Sequence, residues 1–194
     1  MKIISAPHPT LREKAINVEQ VDKKLIKFIN DLELTLKQKD DPKGVGLAAP
    51  QVDKKLRIFT TQLSLTDNFD DEASLQIKHY INPIISKHAG KQTFGENKQN
   101  PQLEGCLSIP HIYAPVPRWQ WVELEYYILE NGKLVPQKEK FEEFPARVIQ
   151  HEADHLDGIL FTDYALEYDL PVYFENKKNG KLEETTNKAI LESL

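Results

Sequence analysis

The sequence has a single cysteine, no long apolar run and no excess of positive charge, and each shortage narrows what the protein can be. With Cys106 alone, no intramolecular disulfide can form and the thiol is free for other chemistry. No window is apolar for long enough to span a bilayer, and residues 1–7 have no apolar run after the basic residue. A net charge of -5 argues against a broad basic surface for nucleic acid phosphates. We therefore expect a soluble, cytoplasmic protein that binds neither membranes nor nucleic acid directly.

The length is that of one domain. The chain has 194 residues, of which 40% are hydrophobic, and can bury one sizeable core. No internal repeat is visible, and a polar break at residues 176–180 follows Pro171. We predict a catalytic domain over residues 1–170 and a C-terminal tail over residues 171–194, with a terminal helix at residues 182–194.

An amphipathic helix is predicted near the N-terminus. Asn17 is placed to cap it, with Gln20 at the third position as in a capping box. Apolar residues then recur at steps of three and four, at Val21, Leu25, Phe28, Ile29, Leu32 and Leu36. This pattern indicates a packing helix.

The middle of the chain predicts strands. Apolar and polar residues alternate over residues 118–129, and Asn131-Gly132 is a hairpin turn signal. Further strands are expected around residues 56–60 and over residues 79–86, and the polar residues 87–102 predict an exposed loop or irregular hairpin. Strands and helices do not alternate regularly. The pattern therefore predicts an α+β fold, with mostly antiparallel β-sheets around a central helix in the C-terminal half.

That central helix carries a His-Glu-x-x-His motif. Pro145 suits its first turn and Gly158 its left-handed C-cap. On a helix, His151 and His155 lie one turn apart on the same face, and Glu152 projects beside them toward a metal-bound water. The motif predicts a metal-dependent hydrolase with two ligands and one base. Asp154 either orients a metal ligand without binding the metal itself or is a solvent-facing residue of the helix.

A catalytic metal site needs a third protein ligand. Glu167 and Glu175 follow the histidines as a His-His-Glu site requires, but neither lies in a convincing helix and Pro171 interrupts the region. Cys106 is the better candidate, because the small Gly105 lets the backbone come close and a thiolate binds divalent metals strongly. The alternative is a metallopeptidase that cleaves internal peptide bonds with Glu175 or Glu167 as the third ligand.

Three separated segments of the sequence resemble the peptide deformylase family. They are residues 44–51 (GVGLAAPQ), 104–108 (EGCLS) and 150–158 (QHEADHLDG). Their order and approximate spacing also fit, as do residues 9–12 (PTLR) and 116–118 (VPR), so the resemblance extends from near residue 7 to about residue 164. It implies an enzyme that removes the formyl group from the N-terminal formyl-methionine of nascent polypeptides. Relatives can dock on the ribosome through a C-terminal extension, but here the lysines of the tail are balanced by glutamates and no basic docking helix is evident, so transient ribosome association stays open.

The resemblance also implies the roles of individual residues. The metal ligands would be Cys106, His151 and His155. Glu152 would act as general acid and base, while the Gln51 amide and the Leu107 backbone N–H would hold the oxyanion. The family's metal is typically ferrous iron, with Zn²⁺, Ni²⁺ or Co²⁺ as substitutes.

Substrate contacts follow in the same way. By resemblance, the backbones of Val45, Gly46 and Gly105 would bind the peptide in strand fashion. Phe144 and Val148 precede His151 by seven and three positions, so they share its helix face and can line an apolar pocket for a methionine side chain. Glu104 and Arg118 form a structural pair in the family. A catalytically inactive module that binds N-termini is the remaining alternative.

Overall fold

The computed structural model describes residues 1–40, 43–64, 74–95, 101–177, 179–185 and 191. Its helices are α1 (Lys23–Lys37), α2 (Glu143–Leu156) and α3 (Phe161–Glu167), with 3-10 turns at Pro9–Arg12 and Ala49–Val52. Its strands are β1 (Gly46–Ala48), β2 (Ile58–Ser64), β3 (Leu75–His88), β4 (Gln92–Thr93), β5 (Leu103–Cys106), β6 (Ile109–Pro115), β7 (Arg118–Trp119), β8 (Trp121–Glu130), β9 (Lys133–Glu142), β10 (Val172–Glu175) and β11 (Leu182–Thr185). Among these residues, no helix has the length and apolar character needed to cross a membrane.

The strands form antiparallel sheets around α2. One sheet has the order β1-β2-β3-β8-β9, a second has the order β11-β10-β6-β5, and β4 pairs with β7. Helix α2 contacts β1, β2, β7, β8 and β9. Its residues Ala146, Ile149 and Leu156 recur at steps of three and seven, and they are buried in one core cluster with side chains of the first sheet. The predicted α+β class and the central helix are confirmed.

The N-terminal packing helix exists, but the predicted cap is wrong. The helix begins at Lys23, and the Asp22 side chain accepts the Leu25 N–H at 2.7 Å. Asn17 cannot start it because the next residue is held elsewhere: the Val18 N–H donates to Asn82 Oδ1 at 2.8 Å, and the Val18 carbonyl accepts from Asn82 Nδ2 at 2.9 Å. The predicted apolar face is confirmed, since Leu25, Ile29, Leu32 and Leu36 are all buried.

The predicted hairpin is confirmed, with one break. Asn131 (φ 49°) and Gly132 (φ 73°) both have the positive φ that a type I′ turn requires between β8 and β9. The strand predicted over residues 118–129 is interrupted at Gln120, because β7 pairs with β4 whereas β8 pairs with β3 and β9. In the predicted loop, residues 92–93 form β4, and residues 96–100 lie outside the described part.

The tail begins with a hairpin, so the predicted terminal helix is wrong at residues 182–185. There β11 pairs with β10, which itself pairs with β6. Gly180, with a φ of 66°, turns the chain between the strands, and β10 provides the backbone groups that a strand needs as partners. Leu191 is buried in the cluster around Phe161, and the other residues after 185 lie outside the described part. The domain boundary at residue 170 stays a prediction.

Candidate metal and active site

One thiol and two imidazoles meet beside α2. Cys106 ends β5, and His151 and His155 lie on the helix as predicted. Their potential ligand atoms all lie within 4.8 Å of one another, and Cys106 Sγ is 3.2 Å from His155 Nε2. His151 Nδ1 is 3.2 Å from Glu104 Oε2, which leaves Nε2 available. This donor set fits a divalent transition metal.

The two alternative third ligands lie elsewhere. Glu167 is exposed in the last turn of α3, and Glu175 Oε2 lies 3.0 Å from His111 Nδ1. Within the described part of the chain, the only group that brings three potential ligands together is Cys106 with the two histidines. The geometry therefore favours the thiol over either glutamate.

The two histidines differ in their electrostatics. Burial lowers the pKa of His155 well below its usual value, so this imidazole is neutral, the form that binds metals. Burial alone would also lower the pKa of His151, but its contacts with Cys106 and Glu104 outweigh that effect and raise the pKa well above the usual value. His151 is therefore the imidazole that a metal ion would have to deprotonate.

Glu152 is a buried carboxylate at the same place. The residue is only 3% exposed, and its Oε2 has no hydrogen-bond partner among the described residues. Burial raises its pKa to about 7, because the low dielectric disfavours the charged form. It can therefore both accept and donate a proton near neutral pH, as a general acid and base must.

The close approach of β1 to Glu152 explains a glycine. A Cβ added at Gly46 would lie 2.1 Å from Glu152 Oε1, far inside van der Waals contact. Only glycine therefore lets this strand pass beside the carboxylate. The small residues of this segment predict a close approach of the backbone, but they do not identify its neighbour.

Gln51 is held in one orientation. Its Oε1 accepts the Ala48 N–H at 2.8 Å, so its Nε2 faces Cys106 Sγ at 3.4 Å and Ser108 Oγ at 3.3 Å. The side chain is buried, and the next residue after the thiol, Leu107, lines the same cavity. A fixed amide donor therefore lies at the metal site.

A network of buried charges lies behind His151. Arg118 donates to both Glu104 oxygens at 2.9 Å, and Arg147 donates to Oε1 at 3.0 Å. Burial alone would raise the pKa of Glu104, but Arg118 and His151 outweigh that effect and hold it well below its usual range. Asp154 accepts from Arg118 at 2.5 Å, so it supports the network rather than solvating the helix. Arg147 was missed because nothing in the local pattern marks it, although it precedes His151 by one helical turn.

The site opens into a cavity of about 760 Å³. Its walls include every residue predicted to contact the peptide, namely Val45, Gly46, Gly105, Phe144 and Val148. Cys106, His151 and Glu152 also line the cavity, and Glu175 and Lys177 of the tail form part of its wall. A peptide end entering this cavity would meet the thiol, the imidazole and the carboxylate together.

Known proteins share this arrangement of sequence and fold. The polypeptide deformylase family model matches residues 1–169. The chain is 38% identical over 164 residues to peptide deformylase 2 of Nostoc sp., and the matched region covers 84% of each chain. It is 34% identical over 167 residues to peptide deformylase 1 of Bacillus subtilis, covering 86% of this chain and 91% of that one.

A solved structure agrees with these sequence matches. The peptide deformylase from Synechococcus elongatus, determined in complex with actinonin, superposes with a TM-score of 0.69 at 34% identity, covering 84% of this chain and 79% of that one. With the cysteine and two histidines in place, the chain belongs to the polypeptide deformylase family of metal-dependent hydrolases.

Proposed function

We propose that this cavity holds one divalent metal ion on Cys106, His151 and His155 and removes the formyl group from formyl-methionine at the start of nascent polypeptides. The observation that carries the proposal is the meeting of these three side chains with the buried, unpartnered Oε2 of Glu152. A buried carboxylate without a partner is costly to folding, so its retention at a cavity wall points to chemistry.

The bound ion would supply Lewis acidity toward water and toward the formyl carbonyl. Thiolate and imidazole ligands accept several divalent metals. We propose Fe²⁺ in the cell, with Zn²⁺, Ni²⁺ or Co²⁺ as substitutes, in line with the family resemblance. Metal analysis of protein purified without air tests this assignment, and a protein that contains only zinc after such purification would contradict it.

Glu152 carries the proton through the reaction. Its carboxylate accepts a proton from the attacking water and delivers it to the leaving amine nitrogen, so that the formamide C–N bond breaks and formate is released. A pKa of about 7 makes both forms of Glu152 accessible at neutral pH.

Gln51 and the Leu107 backbone N–H stabilise the developing oxyanion. The Ala48 N–H fixes the Gln51 amide by donating to its Oε1 at 2.8 Å, so the donor is oriented before substrate binds. One such donor typically contributes about 3 kcal/mol to transition-state stabilisation.

The cavity walls suit a peptide N-terminus. Val45 and Gly46 on one side and Gly105 on the other offer backbone groups, while Phe144 and Val148 supply apolar surface for the methionine side chain. Backbone contacts do not discriminate between side chains, which fits a substrate whose residues after the methionine vary. We extend the proposal to a cytoplasmic location and transient ribosome association, which cosedimentation with ribosomes at low salt would test.

Formate release decides between the three candidate functions. The ferrous protein, prepared anaerobically, is expected to release formate from formyl-Met-Ala-Ser and to leave its peptide bonds intact. Cleavage of an internal peptide bond would instead support the metallopeptidase. Binding of the tripeptide without either product, with metal present and the fold intact, would support the inactive binding module.

We expect Gly46→Ala to lower kcat/KM for formate release by about 100-fold, because the added methyl displaces Glu152 and small misplacements of catalytic groups have effects of this size. Gly90→Ala is the matched control, since a Cβ there meets nothing within 4 Å. Equal activity of the two variants would show that the position of Glu152 does not limit turnover.

A further inference from the structure

Arg147 is a buried arginine that donates a hydrogen bond to Glu104, the carboxylate beside His151. Its side chain is 6% exposed. Nη2 donates to Glu104 Oε1 at 3.0 Å and to the Val116 carbonyl at 2.6 Å, and Nη1 donates to the Thr93 carbonyl at 3.2 Å. It lies one helical turn before His151, which contacts the other oxygen of the same carboxylate.

The two oxygens of Glu104 have different hydrogen-bond partners. Oε1 accepts from Arg118 Nε at 2.9 Å and from Arg147 Nη2 at 3.0 Å. Oε2 accepts from Arg118 Nη2 at 2.9 Å and lies 3.2 Å from His151 Nδ1. The donors on Oε1 therefore fix the plane of the carboxylate, and that plane aims Oε2 at the imidazole.

The charges of this network also depend on Arg147. With His151 in the neutral form that binds a metal ion, the acids Glu104 and Asp154 face the guanidiniums of Arg118 and Arg147, and the four charges sum to zero. Without Arg147, two buried carboxylates would share one guanidinium. An uncompensated buried charge favours rearrangement of the groups around it.

We propose that Arg147 is a positioning residue for the metal site. By holding Glu104 on one oxygen, it directs the other oxygen to His151 Nδ1, so that His151 Nε2 faces Cys106 and His155. Glu104 lies one contact behind the ligand, where loss of a partner typically changes metal affinity by about 10- to 100-fold. Arg147 acts through Glu104, so its loss is expected to have an effect at the lower end of that range. The inference rests on the proposed metal site, but it concerns binding rather than turnover.

A purely structural role is the competing explanation. Arg147 also joins the carbonyls of Thr93 and Val116 to α2, so its loss will destabilise the fold in either case. The two explanations differ in metal affinity, which a structural role would not change once the protein is folded.

Arg57 offers a matched control. Its side chain is 14% exposed and binds near the C-terminal end of α2, where it donates to Asp157 Oδ1 at 2.7 Å and to the Leu156 carbonyl at 3.5 Å. It also donates to the Pro83 carbonyl at 3.3 Å. Arg57→Met therefore removes an arginine that anchors the same helix without touching Glu104.

The experiment measures Zn²⁺ affinity by chelator competition, together with the melting temperature of the metal-free protein. Arg147→Met is expected to weaken Zn²⁺ binding by about 10-fold, the lower end of the range for partners of a ligand. Arg57→Met is expected to lower the melting temperature but to keep the Zn²⁺ affinity within about threefold of the wild type. Arg147→Lys keeps the charge but lacks the planar fork, so a smaller loss is expected. With Co²⁺ as the probe, the absorption spectrum of Arg147→Met should also differ from that of the wild type, because the His151 ligand is reoriented.

Wild-type Zn²⁺ affinity in Arg147→Met, or an equal loss in Arg57→Met, would overturn the proposal. If Arg147→Met does not fold, Arg147→Lys decides by the same comparison. The proposed reaction can fail separately: a wild-type protein that binds metal but releases no formate would refute deformylation and leave the role of Arg147 intact.

Discussion

Glu152→Gln is expected to lower kcat for formate release by about 10³- to 10⁴-fold while metal binding stays at the wild-type level. Positioned general acids and bases contribute accelerations up to this size, and an amide of the same shape cannot carry the proton. The proposed ligands Cys106, His151 and His155 are untouched by this substitution. Formate release and metal content, measured on the same preparation, check both parts.

The matched control is Glu143→Gln, the same substitution in the first turn of the same helix. Its carboxylate accepts from Gln120 in an exposed contact, so we expect near wild-type activity. The metal-free Glu152→Gln protein should be at least as stable as the wild type, because the substitution removes a carboxylate that is buried without a partner for Oε2. Retained turnover in this variant would exclude Glu152 as the proton carrier.

Cys106→Ala is expected to abolish both stoichiometric metal binding and formate release. The thiolate supplies one of three donors, so its removal should weaken metal affinity by more than the roughly 100-fold that loss of a supporting contact causes. Cys106 is buried at the end of β5, with only 8% of its surface exposed. Replacing its thiol by the methyl of alanine leaves only a small space, so the fold should persist. Metal analysis and a melting curve separate loss of metal from loss of structure.

The matched controls are Glu175→Gln and Glu167→Gln. Both glutamates were candidate third ligands, yet Glu175 bonds to His111 and Glu167 is exposed. Each variant should bind metal as the wild type does. Loss of metal in either one, with full metal in Cys106→Ala, would reverse the assignment and revive the metallopeptidase.

Much of the site was predictable because its key residues lie close together in the chain. A helix places His151, Glu152 and His155 by its own periodicity, so their spacing needs no knowledge of the remaining fold. The same holds for the Asn131-Gly132 turn, where a two-residue signal is sufficient. Phe144 and Val148 were placed on the cavity side by counting back from His151 along the same helix.

The failed predictions share a different cause. The capping pattern at Asn17 is locally sound, but Asn82, distant in sequence, binds Val18, and the helix begins at Lys23 with Asp22 as its N-cap. The helix predicted at the end of the chain is replaced at residues 182–185 by strand β11, because β10 supplies its backbone partners and is itself paired with the distant β6. In both cases a long-range contact outweighs a weak local preference.

Local sequence is sufficient to place two imidazoles one turn apart on α2 with a carboxylate beside them, and it offers one cysteine elsewhere as the candidate third ligand. Tertiary packing brings Cys106 rather than Glu175 beside the histidines, as the sequence analysis favours, and it alone places Gly46 against Glu152 and Arg147 on Glu104 behind His151. The physical reason is that helical spacing is set by bonds between near neighbours, whereas these contacts depend on how β1, β5 and α2 pack together.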